Sequence, residues 1–351
     1  MKRRSFLTAA GALGLIGVGG CAVRQEGGGA NPYYSGPVSD HFDGKRFFNP
    51  DGESPQGFGE FLRWQFSGKK ADWPDDIAIT PDRPALRVDD LRVTMVGHAT
   101  LLIQVAGLNL LTDPVWSARA SPFSFIGPAR VTAPGIAFDA LPPIDAVLLS
   151  HNHYDHLDLA TLARLHATHA MPVLTALGND AILRGAIDGI DVRAGDWGDA
   201  FTLPGLTARL LPCHHWSARG TRDRSMALWA SFALETAAGR ILYVGDTGYD
   251  GGRPYRAAAA DGPYRLAILP IGAYAPRWFM KAQHQDPHEA VAGLELCGAR
   301  HAIAHHWGAF QLTDEARGEP PAKLAEALKA KRIAPERFRI MPPGDRWDVP
   351  I

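Results

Sequence analysis

Nine residues, Ser150 to Asp158, read SHNHYDHLD and limit what this chain can build more than any other stretch. The run before them, Asp145 to Leu149, is apolar after its first residue, as expected of a buried parallel strand. Histidines and aspartates this dense at a strand's carboxyl end do not suit a packing role. Their nitrogens and oxygens are the donors that zinc and neighbouring first-row metals take. His151 and His153, two apart, point the same way in an extended loop. Asp155 and His156 follow, and a turn aims them at a second ion beside the first. The stretch predicts a metal-dependent hydrolase site whose remaining ligands lie elsewhere in the chain.

Strands are expected at 91–96, 100–105, 109–112, 145–149, 172–176, 206–211, 226–234, 240–244, 266–269, 301–304 and 338–341. Helical spacing runs over 58–66, 159–166, 178–187 and 320–331, and over 286–296 with Asp286 as N-cap and Pro287 after it. Strand series alternating with helices, twice over, predict an α/β fold arranged as a four-layer αββα sandwich. The 351 residues are 46% hydrophobic, enough for a sizeable core. A formal net charge of -1 argues against nucleic acid as a partner.

Polar residues just beyond apolar strands collect along one edge of a sheet. That places Asp246, one of His214 and His215, and one of His305 and His306 beside the opening stretch. Neighbours in an extended segment face opposite ways, so only one of each pair points inward. His166, His169 and His288 read as residues outside the site. Cys213 and Cys297 read as small core residues.

The ends read differently. Residues 1–21 read as a signal peptide: Lys2-Arg3-Arg4-Ser5-Phe6-Leu7 resembles a twin-arginine export signal, and Val18-Gly19-Gly20-Cys21 resembles a lipobox, the alternative being an ordinary secretory signal cleaved nearby with Cys21 incidental. Residues 22–40, with Gly27-Gly28-Gly29, read as a flexible tether, and 41–351 as the hydrolase domain. The implied address is the periplasmic face of the cell envelope, anchored by a lipid on Cys21. An aromatic-rich stretch, 41–71, is expected to cover the core. A loop at 115–130 sets Trp116, Phe123, Phe125 and Ile126 beside Arg119 and Arg130, a pattern suited to anionic lipid headgroups or to a surface loop folded back on the domain.

SHNHYDHLD, PCHHW, GDTGY, PIGAYAPRWFMKAQHQDPHEAV and HHWGAF together resemble the metallo-β-lactamase superfamily, and within it the N-acylphosphatidylethanolamine-hydrolysing phospholipases D. The resemblance spans about 47–312 and includes the ASPFSFIGPAR loop. There the ligand histidine directly precedes Trp, which selects His215 and His306. The resemblance implies two zinc ions per chain, or other first-row divalent metals. His151, His153 and His215 would hold one, Asp155, His156 and His306 the other, with Asp246 bridging. Tyr154 and His284 match positions that contact the substrate diester, and Asp113 and His98 read as groups orienting ligand histidines.

The implied reaction is hydrolysis of N-acylphosphatidylethanolamine, or a related phospholipid, to phosphatidic acid and an N-acylethanolamine. Asp155 or Asp246 would move a proton, and His284 or Tyr154 would steady charge on the phosphoryl oxygens. Trp116, Phe123, Phe125, Trp278, Phe279 and Met280 would line an acyl groove beside a membrane surface. The family also implies a homodimer. A lactonase, or another ester or amide hydrolase, would use the same ligands. A non-catalytic envelope binding protein would have no need of all of them.

Overall fold

The computed structural model describes residues 30–67 and 70–351. After helix α1 (Phe58–Ser67) come β1 (Leu91–Gly97), β2 (Thr100–Val105), β3 (Leu108–Thr112), β4 (Ala146–Leu149), α2 (Leu159–His169), β5 (Val173–Ala176), α3 (Asn179–Ala186) and β6 (Val192–Gly195). The second half carries β7 (Ala200–Leu203), β8 (Leu206–Leu211), β9 (Ser231–Thr236), β10 (Gly239–Tyr243), α4 (Arg253–Ala259), β11 (Leu266–Pro270), α5 (Arg277–Met280), α6 (Pro287–Cys297) and β12 (His301–His305). Helix α7 (Glu319–Lys331), β13 (Phe338–Ile340) and β14 (Arg346–Asp348) close the chain.

The strands form two seven-stranded sheets, ordered β14-β1-β2-β3-β4-β5-β6 and β13-β12-β11-β10-β9-β8-β7. Each has three antiparallel pairings and three parallel ones. No repeat is visible in the residues, yet both halves share one pairing scheme. The β2–β3 hairpin turns at Ala106 and Gly107, with φ of 50° and 81°, the pair of positive values that matches strand twist.

Strand alternation builds the layers. Leu101, Ile103 and Val105 of β2 pack between the sheets with Ala208, Leu210, Phe232 and Ile268 of the other sheet. Leu102, between Leu101 and Ile103, faces the other way with Val147 and Leu149, against Leu162 and Leu165 of α2 and Leu183 of α3. On the far side Leu242, Leu269 and Ala304 meet α4, α6 and α7 through Tyr255, Leu294 and Leu324. The result is the four-layer αββα sandwich of the metallo-β-lactamase fold.

Several expectations change. Residues 226–230 are buried but are not strand: the Leu228 and Ala230 amides donate to the carbonyls of Leu177 and Ser150 at the ends of the other sheet. Apolar runs of that length do not reveal which they are. Strands β6, β7 and β14 lie at or near sheet edges with few buried residues, so their alternation is faint, and α4 has no counterpart among the expected helices. Phe42 and Phe47 do more than cover the core: both enter the layer between the sheets. Within residues 30–40, expected as tether, Asn31, Tyr33 and Tyr34 are held against the domain while 37–40 stay exposed. Asn31 is buried and donates to the carbonyls of Lys45 and Met226, and the Tyr33 hydroxyl donates to Asp223. The signal features and Cys21 lie outside the described residues.

Cys213 sits between the sheets and Cys297 under the helices of the second, both as free thiols. Burial pushes Cys213 up to about 12 and Cys297 up to about 11. Neither is expected to react with a disulfide reagent until the chain unfolds. Rapid stoichiometric labelling of the native protein would contradict this.

Candidate metal centre

The site lies where strands end. Asp113 follows β3, the His151–His156 stretch follows β4, His215 follows β8, Asp246 follows β10 and His306 follows β12. The stretch is short because Asp158 already caps α2, accepting from the Ala160 and Thr161 amides. Opposite, α6 opens with a capping box between Asp286 and Glu289. Arg277 donates to both Glu289 oxygens, at 2.9 and 2.8 Å, and to the His284 carbonyl at 2.8 Å, which fixes the loop carrying His284.

Potential ligand atoms converge in overlapping groups, each within 4.8 Å, and the two groups of four are His151, His153, His215 and Asp246, and His98, Asp155, His156 and His306. In the first, His153 Nδ1 lies 2.9 Å from His151 Nε2 and 3.2 Å from His215 Nε2. In the second, Asp155 Oδ2 lies 3.4 Å from His156 Nε2 and 3.3 Å from His306 Nε2. Asp246 joins them: Oδ2 is 3.8 Å from His151, 3.6 Å from His215 and 3.3 Å from His156, and Oδ1 is 3.1 Å from His306. Ligand atoms held at about 2.0–2.1 Å around a tetrahedral ion stand roughly 3.3 Å apart, the separation seen here. Within the cluster, His156 Nε2, His306 Nε2 and Asp246 Oδ1 are buried and, close as they stand to one another, make no hydrogen bond of good geometry. Unpartnered buried donors and acceptors are costly, and a divalent ion satisfies them.

The tandem pairs resolve by their neighbours. His214 turns to the Glu53 carbonyl at 2.8 Å and His305 to the Val244 carbonyl at 2.7 Å, leaving His215 and His306 on the site. Behind the ligands, Asp113 accepts from His156 Nδ1 (2.6 Å), the Ser150 amide (2.7 Å) and hydroxyl (2.6 Å), and the Tyr243 hydroxyl (2.5 Å). Ser150 Oγ in turn meets His151 Nδ1, and His215 Nδ1 meets the Gln283 carbonyl. His98, expected to orient a histidine, instead meets Asp155 at 2.9 Å. Ser150, Tyr243 and the Gln283 carbonyl escaped the sequence reading: a serine and a strand tyrosine look like core, and a carbonyl has no residue signature. His98, Asp113 and His306 all adopt positive φ, 58°, 31° and 60°, conformations that concentrate at functional positions.

Burial pushes His98 and His284 down to about 3 and His153 to about 4, which keeps all three neutral. Burial works against charge on His306 too, but Asp246 and the contacts to Asp155 outweigh it and raise it to about 9. Metal-stripped protein then carries a proton there that an ion must displace. Zinc added at about pH 7 in weak buffer is expected to release protons, and affinity to climb until about pH 9. An indicator-dye titration showing no release, or affinity flat with pH, would contradict this.

The backbone behind His306 is closely packed. A Cβ on Gly272 would stand 2.1 Å from the His306 carbonyl oxygen. Gly272→Ala is expected to cost about 1–3 kcal/mol in urea denaturation and to weaken metal retention through His306. Unchanged stability would show that the backbone yields more easily than this.

Above the cluster opens a pocket of about 860 Å³, its mouth included, walled by Phe61, Trp64, Trp216, Phe279, Met280 and Leu312, among others. His284 and Tyr154 both line it. His284 Nδ1 has no partner and stands 3.9 Å from Asp246 Oδ2, whereas the Tyr154 hydroxyl donates to the Arg219 carbonyl at 2.8 Å. Of the expected groove residues, Phe279 and Met280 are in the wall. Trp116 is not: its indole donates to the Ile136 carbonyl and packs on Phe138. Arg119 and Arg130 turn inward to loop carbonyls, so neither faces a headgroup. Phe61 and Trp64 of α1, expected within a general cover of the core, take wall positions instead.

Residues 108–307, more than half of the chain, match the Beta-lactamase superfamily domain. The chain belongs to the beta-lactamase superfamily, and it is a metal-dependent hydrolase. It is 36% identical over 272 residues to N-acyl-phosphatidylethanolamine-hydrolyzing phospholipase D 1 of Caenorhabditis elegans, covering 74% of this chain and 76% of the relative. The mitochondrial N-acyl-phosphatidylethanolamine-hydrolyzing phospholipase D of Saccharomyces cerevisiae is 32% identical over 238 residues, 66% of this chain and 50% of that protein. Among solved structures, isothiocyanate hydrolase from Delia radicum gut bacteria superposes with a TM-score of 0.59 at 19% identity, over 73% of this chain and 98% of that one, a likeness of fold.

Proposed function

We propose that the protein is a phosphodiesterase of phospholipase D type that works with two zinc ions. It cleaves N-acylphosphatidylethanolamine or a related phospholipid to phosphatidic acid and an N-acylethanolamine. The observation that carries this reading is the aromatic pocket standing directly on the ligand cluster. Divalent ions bound there supply Lewis acidity and bring the pKa of water from about 15.7 toward ~7. The chain's own residues do the rest. Asp113 holds His156 in one orientation, and His98 supports Asp155. Asp155 or Asp246 takes the proton from the attacking water. Neutral His284, with its unpartnered Nδ1, faces the place where the phosphoryl oxygens gather charge. The bond between phosphorus and the ethanolamine oxygen breaks, and the proton held by the aspartate passes to that oxygen, releasing the N-acylethanolamine as the alcohol.

A bilayer is the proposed source of substrate. Segments in and around the pocket wall also show apolar side chains outward: Phe58, Leu62 and Phe66 on α1, Phe123 and Phe125 in the 115–130 loop, and Trp278 on α5. No helix among the described residues is long and apolar enough to cross a membrane. A lipid on Cys21 would hold the pocket at the envelope surface. Phe125→Glu is expected to reduce sedimentation with phospholipid vesicles several-fold while soluble diester hydrolysis stays within about twofold. Equal vesicle binding would remove the rim from the proposal. The catalytic reading is tested by zinc-loaded protein with N-acylphosphatidylethanolamine in mixed micelles, followed by mass spectrometry. Both products are expected, and neither from His215→Ala. Turnover of lactones or simple esters with no diester cleaved would overturn it.

A further inference from the structure

Arg224 lines the pocket but forms no ion pair with any described residue. Its guanidinium lies 4.4 Å over the Trp216 ring, and Trp216 packs edge-on against His153 with centroids 4.6 Å apart. Its contact with the Gln56 carbonyl is 3.5 Å, too long to satisfy a charged donor. The charged neighbour that acts on it is a second cation, Arg46. Trp216 adds another unmatched donor, since its Nε1 is buried without an acceptor. Other arginines nearby are occupied: Arg219 donates to the carbonyls of Asn152 and Leu157, and Arg277 pairs with Glu289. A half-buried guanidinium with no counter-charge in an aromatic pocket is stabilised when a ligand brings the anion. Burial lowers Arg224 to about 10, which leaves it charged at neutral pH.

We propose that Arg224, with the indole N–H of Trp216, recognises the anionic oxygens of the substrate diester and makes the site favour charged diesters over neutral esters. This deepens the diesterase reading and rests on it. Zinc-loaded R224Q and R224K are compared with wild type in two ways: calorimetry with inorganic phosphate, and kinetics with bis(p-nitrophenyl) phosphate against p-nitrophenyl butyrate. R224Q is expected to weaken phosphate binding about tenfold or more and to raise KM for the diester similarly. The neutral ester should stay within about threefold, and R224K should recover part of the loss. Zinc content equal to wild type shows an intact centre, and R222Q, an exposed position on the same loop, should behave as wild type. Unchanged phosphate affinity in R224Q, no phosphate binding by wild type, or an equal loss on both substrates overturns the proposal. If wild type cleaves no diester, the diesterase reading falls separately, and phosphate binding still decides the role of Arg224.

Discussion

Asp246→Asn is expected to lower turnover by a factor on the order of 10³ or more and to reduce metal retention at both halves of the centre together. Its carboxylate stands between the two groups: its oxygens lie within 3.8 Å of His151, His215, His156 and His306. Burial alone would raise its pKa, yet His306 and His156 hold it well below the usual carboxylate range. The buried carboxylate is thus charged and ready to bridge. An amide keeps the shape but loses the charge and puts a donor where an ion has to be. Metal analysis alongside turnover separates the two effects. Loss of one ion with the other retained at full strength would show that Asp246 belongs to one half alone.

Asp113→Asn is the second large effect, and it acts from behind the ligands. Three donors meet Asp113 Oδ2 and a fourth meets Oδ1. An asparagine amide facing Oδ2's partners sets donor against donor, and in the other rotamer it faces the Ser150 amide instead. Breaking so buried a charged network costs about 3–5 kcal/mol. Loss of ligand orientation costs a further 10–100-fold or so in metal affinity. Urea denaturation of metal-free protein measures the first quantity and competition with a chelator the second. Stability within about 1 kcal/mol of wild type would show that the network is not the brace described here.

The pattern of the fold was legible because burial in a sandwich is periodic. Leu101, Leu102 and Ile103 alternate between two apolar layers, so the strand shows as a continuous apolar run. Where burial fades, so does the signal: β7 and β14 have no buried residue, and neither was foreseen. The ligand candidates stood out because histidine and aspartate beyond a strand have few structural uses. Choosing within each histidine pair needed more than alternation, since the answer lies with the distant carbonyls of Glu53 and Val244. Tyr243 was hidden for the opposite reason, being an ordinary strand residue whose hydroxyl alone matters. Arg119 and Arg130 misled because their loop carbonyls, invisible in sequence, take their guanidinium groups inward.

The central claim is that residues from four strand ends, braced by Asp113 from a fifth, form one centre for two ions. Metal content per chain, measured after loading and desalting for wild type, His215→Ala and His306→Ala, tests it most directly. The account predicts about two ions in wild type and about one in each variant, because His215 and His306 serve different halves. A wild-type content of one or none, or the same full content in all three proteins, would contradict it.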